Sequence, residues 1–281
     1  MAPPASDPGD GGPVVPDPGD WLLAPAKVNL TLHVTGLRPD GRHALDSVVA
    51  FADVGDRLTV GPGDGLRVTG PFAAGVPTDG TNLIARALAA VGARRAVTLD
   101  KRLPYAAGLG GGTSDAAAVL RAVGARLDGA AMMARGADLP VCLLGRAARM
   151  RGAGEAVAPL ALPSLPAVLA NPGVPVPTGA VFAALERRDG APMPDPPAFA
   201  DATGVIRWLG ACRNDLEPPA IRLAPAIADC LAALRGAGAG LARMSGSGGT
   251  SVGLFASAAA ARAAAAALAR PGWWVAACRL S

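Results

Sequence analysis

Leu103-Pro104-Tyr105-Ala106-Ala107-Gly108-Leu109-Gly110-Gly111-Gly112-Thr113-Ser114-Asp115-Ala116-Ala117-Ala118 is the stretch on which the reading of this chain turns. Four glycines fall within five positions, giving backbone that can take positive φ and has no Cβ to hold a ligand away. Thr113, Ser114 and Asp115 follow as N-cap residues, and the alanine-rich run after them predicts a helix over Ser114–Arg126. Such a loop aims free N–H groups and the positive end of a helix dipole at one spot, which suits a phosphate. It is not a Walker A loop, because no Lys-Ser or Lys-Thr follows the last glycine. Gly108-Leu109-Gly110 opens a dinucleotide fingerprint, but Thr113 stands where its third glycine belongs. The plainer alternative is a flexible turn, and the capped helix directly after the glycines argues against it. A nucleotide is therefore the first ligand to expect.

Around this loop the composition is that of a globular protein. At 281 residues the chain can bury one large core or two modest ones. Half of it is hydrophobic, yet much of that is alanine, and no window reaches about 18 consecutive strongly apolar residues, so no membrane segment is expected. A net charge of +4 without a dense Lys/Arg cluster does not favour nucleic acid as a partner. Cys142, Cys212, Cys230 and Cys278 are widely spaced and the chain has two histidines, a pattern of buried thiols rather than a zinc site or disulfide framework. With no secretory signal at the N-terminus, the expected location is cytoplasmic.

Residues 1–20, rich in Pro, Gly and Asp, predict a disordered tail. From Lys27 to Val34 apolar and polar residues alternate, predicting a strand with Val28, Leu30, Leu32 and Val34 buried and Lys27, Asn29, Thr31 and His33 on a polar side. Further strands are expected at Ser47–Val54, Asp56–Val60, Leu66–Thr69 and Ala96–Asp100, with helices at Asn82–Val91 and Ala130–Arg135. Prolines break the pattern near Val157–Pro166, and strands and helices alternate again to the end. Two α+β lobes, residues 21–160 and 161–281, fit this order.

Three segments outside the loop could meet in one site. Lys27 and Asn29 share a strand face, although a solvated face explains them equally. Asp138, in Gly136-Ala137-Asp138-Leu139-Pro140, could cap a helix or, beside a lysine, accept a proton from a substrate hydroxyl. Met244-Ser245-Gly246-Ser247-Gly248-Gly249-Thr250 reads either as a hairpin connection or as a backbone nest for an anion.

Taken together these residues resemble the GHMP kinase superfamily. Within it, Pro25-Ala26-Lys27-Val28-Asn29-Leu30, Asp40-Gly41-Arg42-His43 and Asn214-Asp215-Leu216-Glu217 resemble the branch that acts on a cytidine-diphosphate-linked sugar alcohol. The likeness runs from Ala24 to Phe255. It implies a two-lobed α+β fold, ribosomal protein S5 domain 2-like in the N-terminal lobe and ferredoxin-like in the C-terminal lobe. It implies ATP with Mg2+, and phosphorylation of the 2-hydroxyl of 4-diphosphocytidyl-2-C-methyl-D-erythritol in the non-mevalonate isoprenoid pathway, by a monomer or weak homodimer. Asp138 matches the catalytic base and Lys27 its partner. Pro104, Gly108, Leu109, Gly110, Gly111, Gly112, Thr113 and Ser114 match the loop around the ATP phosphates, with Asn82 and Lys101 beside the nucleotide. Asn29, His43, Pro172, Val174, Thr178 and Phe182 match the substrate side, His43 reading the cytosine edge and Phe182 stacking on its ring, and Gly246 and Ser247 close the site. Arg42 departs from the pattern, standing where the family usually has a tyrosine against the base; a guanidinium can also lie on a ring. A sister kinase for a mevalonate-like or homoserine-like substrate, and a non-catalytic nucleotide-binding homologue, are the alternatives.

Overall fold

A computed structural model describes residues 21–281; the tail expected over residues 1–20 lies outside the described residues. The first half runs β1 (Leu22–Asn29), β2 (His33–Leu37), β3 (His43–Gly61), β4 (Gly65–Thr69), α1 (Leu83–Ala90), β5 (Ala96–Asp100) and α2 (Gly111–Ala122). It closes with α3 (Gly129–Met133), α4 (Leu139–Leu144), β6 (Ala148–Gly152) and β7 (Ala156–Pro159). The second half runs β8 (Leu165–Asn171), α5 (Thr178–Ala183), α6 (Ala202–Gly210), α7 (Glu217–Leu223) and α8 (Ala226–Gly236). It ends with β9 (Leu241–Met244), β10 (Ser251–Leu254), α9 (Ala258–Leu268) and β11 (Trp274–Leu280).

The strand expected from Lys27 to Val34 is two strands with a break at residues 30–32, and neither of its faces meets solvent. Lys27, Asn29, Thr31 and His33 are all buried. The break follows from side-chain chemistry. Thr31 Oγ1 takes the Val48 N–H at 2.7 Å, and Leu32 turns its backbone to Arg213 and Asp215 at 2.8 Å each. The strands expected at Ser47–Val54 and Asp56–Val60 are one continuous strand, β3, which pairs with β1, β2, β5, β6 and β11.

Through β3 the two halves share one sheet, ordered β4-β5-β3-β11-β8-β10-β9 with β1, β2 and β6 also on β3. The seam is narrow: Leu280 registers with Ala52, and Phe51 and Ser281 exchange backbone hydrogen bonds of 2.9 and 3.0 Å. One apolar cluster spans it, with Ala26, Val28 and Ala50 from one half and Leu165, Leu254 and Leu280 from the other. Burying such side chains contributes roughly 1.5–3 kcal/mol each, so the lobes are held by packing more than by the short seam. Among the described residues no helix is long and apolar enough to cross a membrane.

Candidate active site

The Gly-rich segment ends by starting a helix, three residues earlier than the sequence suggests. Gly110 takes the left-handed N-cap position at φ 60°, α2 begins at Gly111, and no side chain caps it. The expected caps fail because Thr113 and Ser114 already lie in the first turn; Ser114 Oγ instead donates to Pro25 O at 2.7 Å. The first N–H groups of α2 consequently keep no partner within the helix, and a helix N-terminus in this state favours an anion. Gly108, at φ 72°, lies so close to the second Gly/Ser loop that a Cβ there would meet Ser245 O and, at 2.6 Å, Gly248 O.

β1 aims Lys27 at this spot. Its Nζ is 2.7 Å from Asn29 Oδ1 and 3.0 Å from Asp138 Oδ2, and its own N–H donates to Leu109 O at 2.9 Å. Asp138 occupies the N-cap position of α4, yet its carboxylate caps nothing. The carboxylate is therefore free for Lys27 and, at 29% side-chain exposure, open to a ligand. A Cβ at Gly110 would lie 3.0 Å from Lys27 Cε and 3.6 Å from Asp138 Oδ2, so glycine alone lets the loop pass over the pair. Asn29 passes the restraint inward, its Nδ2 donating to Ser47 Oγ at 2.8 Å.

The Met244–Thr250 segment connects β9 to β10 as a hairpin and also forms a wall of the site. Ser245 Oγ accepts from Asn29 N at 3.0 Å and donates to Gly108 O at 2.9 Å, and Thr250 N donates to Ala107 O at 3.1 Å. Asn214 fixes its outer side, donating to Met244 O and Gly246 O at 2.8 and 2.9 Å, while Glu217 accepts from Met244 N at 2.7 Å. Ser247 Oγ lies 2.8 Å from Thr178 Oγ1.

A cleft of about 390 Å³ opens in front of Lys27, Asn29 and Asp138, and His43, Thr178, Phe182, Gly246 and Ser247 also line it. His43 and Phe182 are stacked with ring centroids 4.7 Å apart, and His43 Nε2 is buried without a hydrogen-bond partner. Burial, with nearby Arg188 adding to it, holds the His43 imidazole below its ordinary value. Arg42 lies at the mouth, and its guanidinium is bonded to Asp40 at 2.8 and 3.1 Å.

Four expected ligand-side residues are turned elsewhere. Pro172 and Val174 do not line this cleft; Asn171 bonds to Thr250 and to Gly173, so their turn braces the second loop. Asn82 caps α1, accepting from Ile84 N at 2.9 Å and donating to Pro77 O at 2.7 Å. Lys101 lies under the loop, its Nζ on Asp56 and Asp115, which outweigh burial and hold the ammonium above its ordinary value. The sequence reading missed this Asp56–Lys101–Asp115 cluster. A signal was present: Asp56 is a carboxylate set between the apolar strand residues Val54 and Leu58.

Two regions match family models, described as GHMP kinases N terminal domain over residues 81–146 and GHMP kinases C terminal over residues 195–272. A Paracoccus denitrificans (strain Pd 1222) protein described as 4-diphosphocytidyl-2-C-methyl-D-erythritol kinase is 59% identical over 263 residues, covering 92% of this chain and 96% of the relative. The chain belongs to the 4-diphosphocytidyl-2-C-methyl-D-erythritol kinase family. A relative of the same description from Methylobacterium radiotolerans is 53% identical, covering 90% of this chain and 96% of its own length. A crystal structure of 4-(cytidine 5'-diphospho)-2C-methyl-D-erythritol kinase matches with TM-score 0.78 at 41% identity, covering 93% of this chain and 99% of that one. Homoserine kinase from Cytophaga hutchinsonii, with TM-score 0.60 at 19% identity over 95% of this chain and 98% of that one, shares the fold alone. The family is one of ATP-dependent small-molecule kinases, and its two-lobed α+β fold is the one expected from the sequence.

Proposed function

We propose that the chain transfers the γ-phosphoryl group of ATP to the 2-hydroxyl of 4-diphosphocytidyl-2-C-methyl-D-erythritol, in non-mevalonate isoprenoid synthesis. The observation that carries the chemistry is a carboxylate at a helix N-terminus that caps nothing, 3.0 Å from a buried lysine at the foot of a Gly loop. Phosphoryl transfer asks the protein for positioning and charge neutralisation. The N–H groups at the start of α2 take the phosphates. Asp138 accepts the proton as the substrate oxygen bonds to phosphorus and the bond to ADP breaks. Lys27 orients Asp138 and meets charge on the moving group. The products are ADP and the 2-phosphate monoester.

The substrate is supported by the relatives' names and by the cleft. His43 Nε2 has no partner in the protein, which suits the edge of a base, and Phe182 offers a ring face beside it. Arg42, engaged by Asp40, leaves Phe182 as the aromatic partner for that base.

The resemblance also implies Mg2+. Among the described residues no group of three or more His, Cys, Asp or Glu side chains is placed to hold a metal ion, Asp138 is engaged by Lys27, and Asp115 faces Lys101. A cage of protein carboxylates is therefore not offered, and a Mg2+ ion bound with the nucleotide would draw its ligands mainly from phosphate oxygens and water, where it would neutralise charge on the transferred group. Four buried free thiols suit a reducing, cytoplasmic setting.

The test is turnover of the cytidyl substrate with Mg-ATP, beside Asp138→Asn. The variant is expected to lose about 10²–10⁴-fold in kcat, the share of a general base, while still binding ATP. Turnover of mevalonate or homoserine in place of the cytidyl compound contradicts the substrate; ATP binding without transfer to any alcohol contradicts the kinase reading.

A further inference from the structure

Beneath the Gly loop lies a buried charge cluster that phosphoryl transfer does not use. Lys101 Nζ donates to Asp56 Oδ2 at 2.5 Å and Asp115 Oδ2 at 2.9 Å, and none of the three side chains exceeds 4% exposure. Asp56 is well satisfied, its Oδ1 accepting from Arg102 N and Leu103 N at 2.6 and 2.8 Å. Asp115 is not: its Oδ1 is buried without a partner. With both carboxylates ionised the cluster carries one negative charge in excess of its single ammonium, an unfavourable state away from water. Burial pushes the Asp115 carboxyl up to about 7, with Lys101 opposing and Asp56 adding to the rise. Cys142 on α4 also faces this region and is kept a neutral thiol by burial, and the Lys27–Asp138 pair lies on the other side of Gly110.

The cluster touches the underside of the phosphate cradle. A Cβ at Gly111 would lie 3.1 Å from Lys101 Nζ and 3.3 Å from Asp56 Oδ2, so the cluster packs directly against the first residue of α2, whose N-terminal N–H groups have no helical partner. Phosphates bound there bring several negative charges, and a nearby like charge favours the protonated acid.

We propose that Asp115 is shifted toward its protonated form when the phosphates of ATP bind above Gly111, which makes it the positioning residue that sets the pH dependence of nucleotide affinity. The proton comes from solvent and resides on Asp115, Lys101 remaining an ammonium, and it returns to solvent when the nucleotide leaves. The sign follows directly. ATP affinity is full while Asp115 is already protonated, falls as pH rises through the free protein's value near 7, and levels off above the value in the complex. The inference rests on the reading of the loop as the ATP site.

The test is calorimetric titration of the intact protein with ATP in two buffers of different ionisation heat, at about pH 7.5, beside Asp115→Asn. Wild type is expected to take up more protons than the variant. Its ATP Kd is expected to weaken by about tenfold more than the variant's between about pH 6 and about pH 8.5, one pKa unit of coupling. ATP's own titration is common to both proteins and cancels. In kinetics the difference falls on KM for ATP, while kcat at saturating ATP keeps one pH profile; a purely structural lesion would not separate the two. Equal proton counts and equal pH slopes overturn the proposal. Should the variant not fold, wild type with adenosine is the second arm: without phosphates it is expected to bind with no uptake, and uptake equal to that with ATP overturns the proposal. Absence of ATP binding altogether removes the kinase reading itself, and this inference with it.

Discussion

Lys27 and the two histidines illustrate how much a single buried polar group can decide. Lys27 is 4% exposed and survives as a core residue because Asn29 and Asp138 satisfy it. His33, fully buried, has Nδ1 3.2 Å from Ala191 O and Nε2 accepting from Arg213 N at 2.9 Å, an arrangement that requires the neutral ring. Burial lowers the value of His33, and of His43, below 6.5, so the unfolded chain binds more protons than the folded one in that range. The stability they contribute is complete above about pH 6.5 and is lost as pH falls through the lowered values. Asp115, common to wild type and His33→Gln, stabilises in the opposite direction on acidification, so the check is a difference between the two proteins. Between about pH 7 and about pH 5 the melting temperature of wild type is expected to shift downward relative to that of His33→Gln, and parallel pH profiles contradict this. At this scale the sequence made Lys27 and Asn29 legible through alternation, and Asp138 through its apolar neighbours. Asp115 was hidden because an aspartate after Thr-Ser in front of an alanine run reads as a cap, and nothing local tells that it faces Lys101, fourteen residues back.

The elements that escaped the sequence reading are those whose ends are set by distant partners. α2 starts at Gly111 because the loop before it is held from outside, by Lys27 N on Leu109 O and Thr250 N on Ala107 O, so propensity at Ser114 does not decide. The β6–β7 hairpin and helices α6 and α7 were not anticipated either; α7 opens on Glu217-Pro218-Pro219, where proline removes N–H donors that a first turn does not use. Gly108 is where two elements interlock, and Gly108→Ala combines a left-handed backbone with contact against Ser245 O and Gly248 O. It is expected to lower stability by about 1–3 kcal/mol, as overpacking does, and to raise KM for ATP. Denaturant melts and initial-rate kinetics check both; a variant with unchanged melt and KM would show that the loops can part without consequence.

For the molecule as a whole, the composition break at Val157–Pro166 falls at the passage from β7 to β8, while the continuity of the sheet across it was not visible, because β3 and β11 meet through residues more than two hundred positions apart. Leu280 is fully buried in the cluster that both halves build. Leu280→Ala is expected to lower stability by about 2–5 kcal/mol in a single thermal transition; two resolved transitions, with one half unmoved, would mean the lobes fold independently. The loops of the site do not depend on that seam for their spacing. Lys27 N holds the Gly108–Gly112 loop and Asn29 N holds the Met244–Thr250 loop, two residues along one strand, or about 6.8 Å apart. β1 is thus a ruler: the span between the donor side and the acceptor side is written in covalent bond lengths. Thermal breathing that tilts one lobe against the other carries both loops along on the same strand and leaves the gauge between them unchanged.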